Sequence, residues 1–193
     1  MKWFKDNYLN SNDSLDILDV GSLDNSGDNY NYRSIFDNPN WRYTGLDFEK
    51  GDNVDILVED IYNWGEIQDK SFDVVISGQL FEHLGFFWLT MSEIERAMKK
   101  GGLCCIIAPS GGPRHGVSDS DCYRFYEDGM VALANYAELD VVHVSTNTDD
   151  ISKPWYDTCL IAKKEGILNN NVELERKMEN LENKLDIIIK RMG

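Results

Sequence analysis

A chain of 193 residues, 42% hydrophobic and 27% charged, has the size and composition of one globular domain with a short appendage, which excludes disordered, collagen-like and membrane-embedded classes. Nineteen Lys and Arg against 34 Asp and Glu leave a formal charge of −15, and so acidic a surface repels phosphate backbones and anionic bilayers, arguing against nucleic acid as a broad-surface partner. The longest apolar stretch, Leu103 to Pro109, is far too short to span a bilayer. The start of the chain, Met1-Lys2-Trp3-Phe4-Lys5-Asp6, lacks a signal-peptide core, and Cys104, Cys105, Cys122 and Cys159 show no C-x-x-C spacing. The expectation is therefore a cytoplasmic protein with reduced thiols and no metal.

Five short apolar runs come first, each closed by small or polar residues. Leu15 to Val20 ends in Gly21, Trp41 to Leu46 in Asp47, and Val54 to Val58 in Glu59-Asp60. Phe72 to Ile76 ends in Ser77-Gly78, and Leu103 to Ala108 in Pro109-Ser110-Gly111. Continuous apolar runs without alternation are what strands buried on both faces look like. Between the fourth and fifth, Phe86 to Lys99 sets Phe87, Met91, Ile94 and Met98 on one helical face, with Phe86, Phe87 and Trp88 assigned to the core and Lys99-Lys100-Gly101-Gly102 as the helix stop. A helix over Tyr126 to Tyr136 and strands over Leu139 to Thr146 and Trp155 to Ala162 complete the pattern. It predicts an α/β fold, a Rossmann-like, mostly parallel seven-stranded sheet with helices on both faces.

Charge changes near residue 166. Between Gly166 and Gly193 five basic residues balance five acidic ones, so the excess negative charge sits on residues 1–165. Leu174, Met178, Leu181, Leu185, Ile188 and Met192 follow spacings of 4, 3, 4, 3 and 4, the seam of a coiled coil. Residues 166–193 are expected to form a C-terminal helix that joins copies of the chain into a homo-oligomer, the alternative being an amphipathic helix lying back on the domain. The seam runs unbroken to Gly193, leaving open a longer natural chain.

In such sheets a ligand sits beyond the carboxyl ends of the strands, where the polar residues above collect. Gly21 lets backbone pass close to a ligand, although Asp19-Val20-Gly21 followed by Ser22-Leu23 is not the G-x-G-x-x-G of a dinucleotide site, which disfavours a nicotinamide-dependent oxidoreductase. Asp47, closing Thr44-Gly45-Leu46, suits both hydroxyls of a ribose, and a solvated loop aspartate is the alternative. Asp60 could accept from an adenine amino group while Ile61 packs on the ring.

The ordered series D-V-G (19–21), T-G-L-D (44–47), E-D-I (59–61), F-D-V-V-I-S-G-Q-x-F-E-H-L (72–84) and G-G-L-x-x-I-I-A-P-S (101–110) resembles the class I S-adenosylmethionine-dependent methyltransferases. It is most similar to the small methyltransferase domains found with polysaccharide and glycosylation enzymes, a group that Cys122 to Met130 also resembles. The resemblance implies S-adenosylmethionine as cofactor and methyl transfer, with oxygen of a small or saccharide-linked acceptor as the destination. It implies that Asp19, Gly21, Ser22 and Leu23 shape the methionine end of the cofactor site. Asp47 with Phe48 would serve the ribose, Asp60 with Ile61 the adenine, and Ser77, Gly78 and Gln79 the loop beneath the sulfonium. The first motif departs from the family's G-x-G, which leaves open a non-catalytic scaffold that keeps the cofactor fold. An acceptor hydroxyl calls for a base, and His83 and His115 are the candidates, a helix-capping histidine being the alternative for His83. Arg114 and Arg124 could bind an acceptor phosphate or carboxylate, or pair locally with Asp119 or Asp121. His143, in a late strand, is assigned a structural role.

Overall fold

A computed structural model describes residues 1–24, 31–115 and 120–165. Seven strands form one sheet: β1 (Leu15–Val20), β2 (Trp41–Asp47), β3 (Ile56–Leu57), β4 (Phe72–Gly78), β5 (Met98–Pro109), β6 (Asp140–Thr146) and β7 (Asp157–Lys163). Their spatial order is β3-β2-β1-β4-β5-β7-β6. Pairings from β3 through β5 are parallel, and β7 runs antiparallel to both β5 and β6. The order reverses between β1 and β4, so the two strand ends that carry Gly21 and Ser77-Gly78 lie side by side at the switch point.

Alternate residues of β1 enter two apolar layers, as the pleat requires. Leu18 and Val20 join Met91 and Ile94 of α2 (Phe87–Ala97) and Met130 and Leu133 of α3 (Glu127–Tyr136) on one face. Ile17 joins Phe4 of α1 (Lys2–Tyr8), Val74, Ile76 and Ile161 on the other. Helices thus cover both faces. No described helix is long and apolar enough to cross a membrane.

Three elements differ from the sequence expectation. The helix expected over Phe86 to Lys99 stops at Ala97, and Met98-Lys99-Lys100 opens β5, with Met98 paired to Phe72. Lys99 explains the switch: its Nζ lies 2.9 Å from Asp16 and 2.7 Å from Asp73, a bridge across β1 and β4 that an extended backbone can reach. Phe86, expected in the core, is 53% exposed at the start of α2. The third run shrinks to Ile56–Leu57, an edge strand whose flanks still bond β2 through Asp55 N–H to Gly45 O and Val58 N–H to Asp47 O.

The β3–β4 crossover has no helix. Its buried plug is Trp64, 1% exposed, whose Nε1 donates to Ile61 O at 2.8 Å. Arg96 of α2 holds this loop by donating to Trp64 O and Ile67 O at 2.9 and 2.8 Å and pairing with Glu93 and Asp69. One arginine therefore ties down a segment that lacks a helix's own hydrogen bonds. The expected coiled-coil helix over residues 166–193 lies outside the described residues.

Candidate active site at the strand ends

Asp19 sits near the end of β1 with 2% exposure. Tyr43 of β2 donates its hydroxyl to Asp19 Oδ2, while Oδ1 is buried without a hydrogen-bond partner. Burial is the main influence on this carboxyl, with the Asp47 charge adding to it and the Tyr43 hydrogen bond and Arg33 opposing, and the result is a pKa pushed up from 3.8 to about 7. The phenols answer in kind: burial first and the Asp19 charge second hold both Tyr32 and Tyr43 well above the ordinary phenol range. Arg33 stacks on the Tyr43 ring at 4.5 Å and donates to Asn53 and Asp55, packing the far side of the cluster.

Gly21 follows with φ +78°, and a Cβ there would stand 2.8 Å from a methyl of Leu80. Left-handed backbone and close approach both demand glycine. Ser22 is buried, its Oγ donating to Asn53 O at 3.1 Å. Asp47, 4% exposed at the end of β2, accepts from Leu23 N–H (2.9 Å) and Glu49 N–H (3.0 Å), one bond to each oxygen. These two amides fix the carboxylate and lock Leu23 to it, and each oxygen keeps a further lone pair. Phe48 beside it is 44% exposed.

On the other side of the switch point, Ser77 Oγ donates to Val20 O at 2.8 Å, stitching β4 to β1. Gly78 faces the Tyr32 hydroxyl, which lies 2.1 Å from where a Cβ would stand. Gln79 turns the chain at φ +60°, its amide donating to Asp157 of β7 at 3.0 Å. Asp19, Gly21, Ser22, Leu23, Asp47, Ser77, Gly78 and Gln79 thus gather on adjoining strand ends. Asp60 and Ile61 lie at the sheet's edge: Asp60 is exposed and accepts from Tyr62 N–H, whereas Ile61 is a core residue, 6% exposed.

A second cluster forms where β4 and β5 end. A single 3-10 turn, Phe81–His83, carries Glu82, whose side chain is fully buried with neither oxygen hydrogen-bonded. Burial pushes its carboxyl up to about 7, against the pull of its own backbone amide first and of His83 and Arg124 after it. Two backbone amides, of Cys122 and Tyr123, close on the Glu82 carbonyl and bring the β5–α3 connection over the turn. As a result the rings of His83 and His115 lie 5.1 Å apart, and His115 also packs on Trp155 at 4.4 Å. Arg124 is taken up locally: it grips Asp121 through NH1 (2.6 Å) and NH2 (2.9 Å), reaches Pro113 O, and holds the Asp121 carboxyl well below its usual range. Arg114, Arg124, Asp121 and Tyr123 line a cavity of about 260 Å³. A second cavity of about 290 Å³, bounded by Lys5, Ile35 and Trp41, lies by α1 at the amino-terminal end of β2, remote from these groups. His143 belongs to β6 and stacks against Trp3, away from both clusters. Sequence reasoning gave Glu82, Tyr43 and Tyr32 no role; the one available hint was an acid set among apolar residues in Leu80-Phe81-Glu82.

Comparison with known proteins bears on the fold that carries these residues. A family described as "Methyltransferase domain" matches residues 19–106, somewhat less than half of the chain. No curated protein sequence matches. Among solved structures, the 1,6-didemethyltoxoflavin-N1-methyltransferase of Burkholderia thailandensis, bound to 1,6-didemethyltoxoflavin and S-adenosylhomocysteine, aligns with TM-score 0.62 and 13% identity over 80% of this chain and 72% of that one. A SAM-dependent methyltransferase from Aquifex aeolicus aligns with TM-score 0.58 and 17% identity over 79% and 83%. The [4+2]-cyclase SpnF aligns almost as well, with TM-score 0.59 and 14% identity over 79% and 75%. Identities this low establish the fold, and SpnF shows that the fold by itself does not dictate the reaction.

Proposed function

We propose that the chain, which matches a methyltransferase domain over residues 19–106 and shares the fold of such enzymes, is an S-adenosylmethionine-dependent methyltransferase that moves the methyl group to oxygen on a small or saccharide-linked acceptor by direct in-line transfer. The observation that carries the reading is the unpartnered Asp19 Oδ1, buried at the switch point between Gly21 and the end of β4. A buried carboxyl with an open oxygen calls for a cationic partner, and the ammonium of the cofactor's methionine end has that charge.

The residues fit the cofactor. Asp19 would take its amine, with the positive-φ Gly21 keeping backbone out of the way. Asp47, already held by two amides, would accept both ribose hydroxyls without reorganising. Phe48 and Ile61 would flank the adenine with Asp60 at its amino group, and the Ser77-Gly78-Gln79 turn would underlie the reacting end. S-adenosylmethionine, when bound, supplies a methyl already activated on a sulfonium. What remains for the protein is to align the acceptor, exclude water and accept a proton. His83 suits the last task. Its Nδ1 lies 2.6 Å from Ser120 O, which only accepts, so Nδ1 carries a proton and in the neutral ring Nε2 keeps a lone pair. His115, against Asp121, is the second candidate, and Arg114 at the adjoining cavity would hold an anionic group of the acceptor. A cytoplasmic setting and self-association through residues 166–193 belong to the same proposal.

Calorimetry with S-adenosylhomocysteine tests it. Two hydrogen bonds to a charged acceptor, net of their replacement by water, come to about 3 kcal/mol, so Asp47→Ala should weaken binding about 100-fold. Asp47→Asn, which can still accept from one amide, should fall between. Absence of binding by the wild type at high micromolar ligand, or an Asp47→Ala variant indistinguishable from it, overturns the proposal.

A further inference from the structure

We propose that Glu82, His83 and His115 form a binding site for one first-row divalent metal ion beside the acceptor cavity. One ligand atom from each residue lies within 4.8 Å of the other two, and Glu82 Oε1 is 3.7 Å from His83 Nε2. That gap is too long for a hydrogen bond. The Ser120 carbonyl accepts the proton of His83 at Nδ1, so in the neutral ring the lone pair of Nε2 faces a carboxyl that has no hydrogen-bond partner at either oxygen. A carboxyl and an imidazole nitrogen facing each other in a buried space need a cation between them, and a proton or a metal ion serves. A third donor, His115, closes the triangle.

Metal ligands bond at about 2.1 Å, which sets two ligands on one ion about 3.0–3.4 Å apart. Drawing the three groups together therefore takes about 1 Å of movement. His83 has the outer partner that a metal-bound histidine requires, Ser120 O at 2.6 Å from Nδ1, while His115 Nδ1 stands 3.5 Å from the Asp121 carboxylate without a hydrogen bond to it. Arg124 reaches the same His115 nitrogen at 3.4 Å, and its bidentate hold on Asp121 keeps that carboxylate ionised and fixed. Two imidazoles and a carboxylate suit Zn²⁺, Mn²⁺, Fe²⁺ or Co²⁺ better than Mg²⁺ or Ca²⁺, which prefer all-oxygen shells. Three protein ligands leave positions open. The adjoining cavity, lined by Asp121, Arg114 and Arg124, would present an acceptor hydroxyl there, with the ion orienting it and making it more acidic in place of His83 acting as the base, since the ion would occupy the lone pair that role needs. This last role rests on the methyl-transfer reading; the site itself does not.

The test uses the full chain, stripped with a chelator and titrated calorimetrically with Zn²⁺ and Mn²⁺, with Co²⁺ followed by its visible absorption. One equivalent is expected, with Kd at or below about 10 μM for Zn²⁺. Loss of an outer partner alone typically costs about 10–100-fold, so Glu82→Gln, His83→Ala and His115→Ala should each weaken binding at least about 100-fold. Glu82→Gln keeps the shape of the side chain and guards against loss of fold, which near-UV circular dichroism checks. Cys122→Ser, removing an exposed thiol that lines the cavity but is none of the three ligands, should bind the ion as the wild type does. No binding at about millimolar ion, equal binding by Glu82→Gln and His115→Ala, or loss confined to Cys122→Ser overturns the site. A wild-type protein that binds S-adenosylhomocysteine but no metal refutes this inference alone, and one that binds metal but no S-adenosylhomocysteine refutes the cofactor reading alone.

Discussion

Replacing Asp19 with Asn should stabilise the ligand-free protein, by an amount that depends on pH in a defined way. The carboxyl ionises near pH 4 in an unfolded chain but keeps its proton to about pH 7 when buried. Between those limits the unfolded state releases a proton that the folded state retains, so stability falls as pH rises and levels off above about 7. From 3.8 to about 7, at about 1.4 kcal/mol per decade of proton affinity, the loss approaches about 4 kcal/mol. That is an upper limit, since any water reaching Oδ1 lessens it. The side chain of the Asp19→Asn variant never ionises, its carbonyl still accepts from Tyr43, and its amide nitrogen takes the place of the orphaned oxygen. Urea unfolding of both proteins across about pH 4 to 8 reads the difference. The two should be similar near pH 4, diverge in the variant's favour up to about pH 7 and run parallel beyond. Glu82, also pushed up to about 7, gives the same slope to both proteins and cancels. The same ionisation should make S-adenosylhomocysteine bind more tightly to the wild type as pH rises through 7, and leave the variant flat. Parallel stability curves over the whole range would refute the account of Asp19.

Gly45→Ala would set a Cβ 1.9 Å from Asn53 O and 2.7 Å from Ser22 Oγ, so a loss of about 2–3 kcal/mol is expected; an unchanged thermal midpoint would contradict it. Arg96→Ala should cost about 2–3 kcal/mol by orphaning the Trp64 and Ile67 carbonyls, with quenching of tryptophan fluorescence as the β3–β4 loop loosens and partial rescue by Arg96→Lys. Deleting residues 166–193 should lower the mass seen by light scattering to that of a monomer, and an unchanged mass would reject the coiled-coil expectation.

The architecture was legible in the sequence wherever burial on both faces writes itself as a continuous apolar run. Leu103–Ala108 is such a run, Leu15–Val20 and Phe72–Ile76 approach it with only Asp16, Asp19 and Asp73 interrupting, and the small residue that follows each marks a strand's carboxyl end. Where the periodicity of Phe86 to Lys99 continued past the true helix end, local pattern could not register that Lys99 would be drawn to Asp16 and Asp73, 83 and 26 positions away. Candidate residues at strand ends came from the chain alone, because each is adjacent in sequence to the strand that presents it. Their states did not. That Asp19 keeps an empty oxygen depends on Tyr43 taking the other, and that Glu82 is buried against two histidines depends on the β5–α3 connection folding back over the turn. Desolvation and pairing are set by what arrives from elsewhere in the chain, so a sequence can nominate an ionisable group, while only its packed surroundings determine whether it is charged, partnered or waiting for a cation.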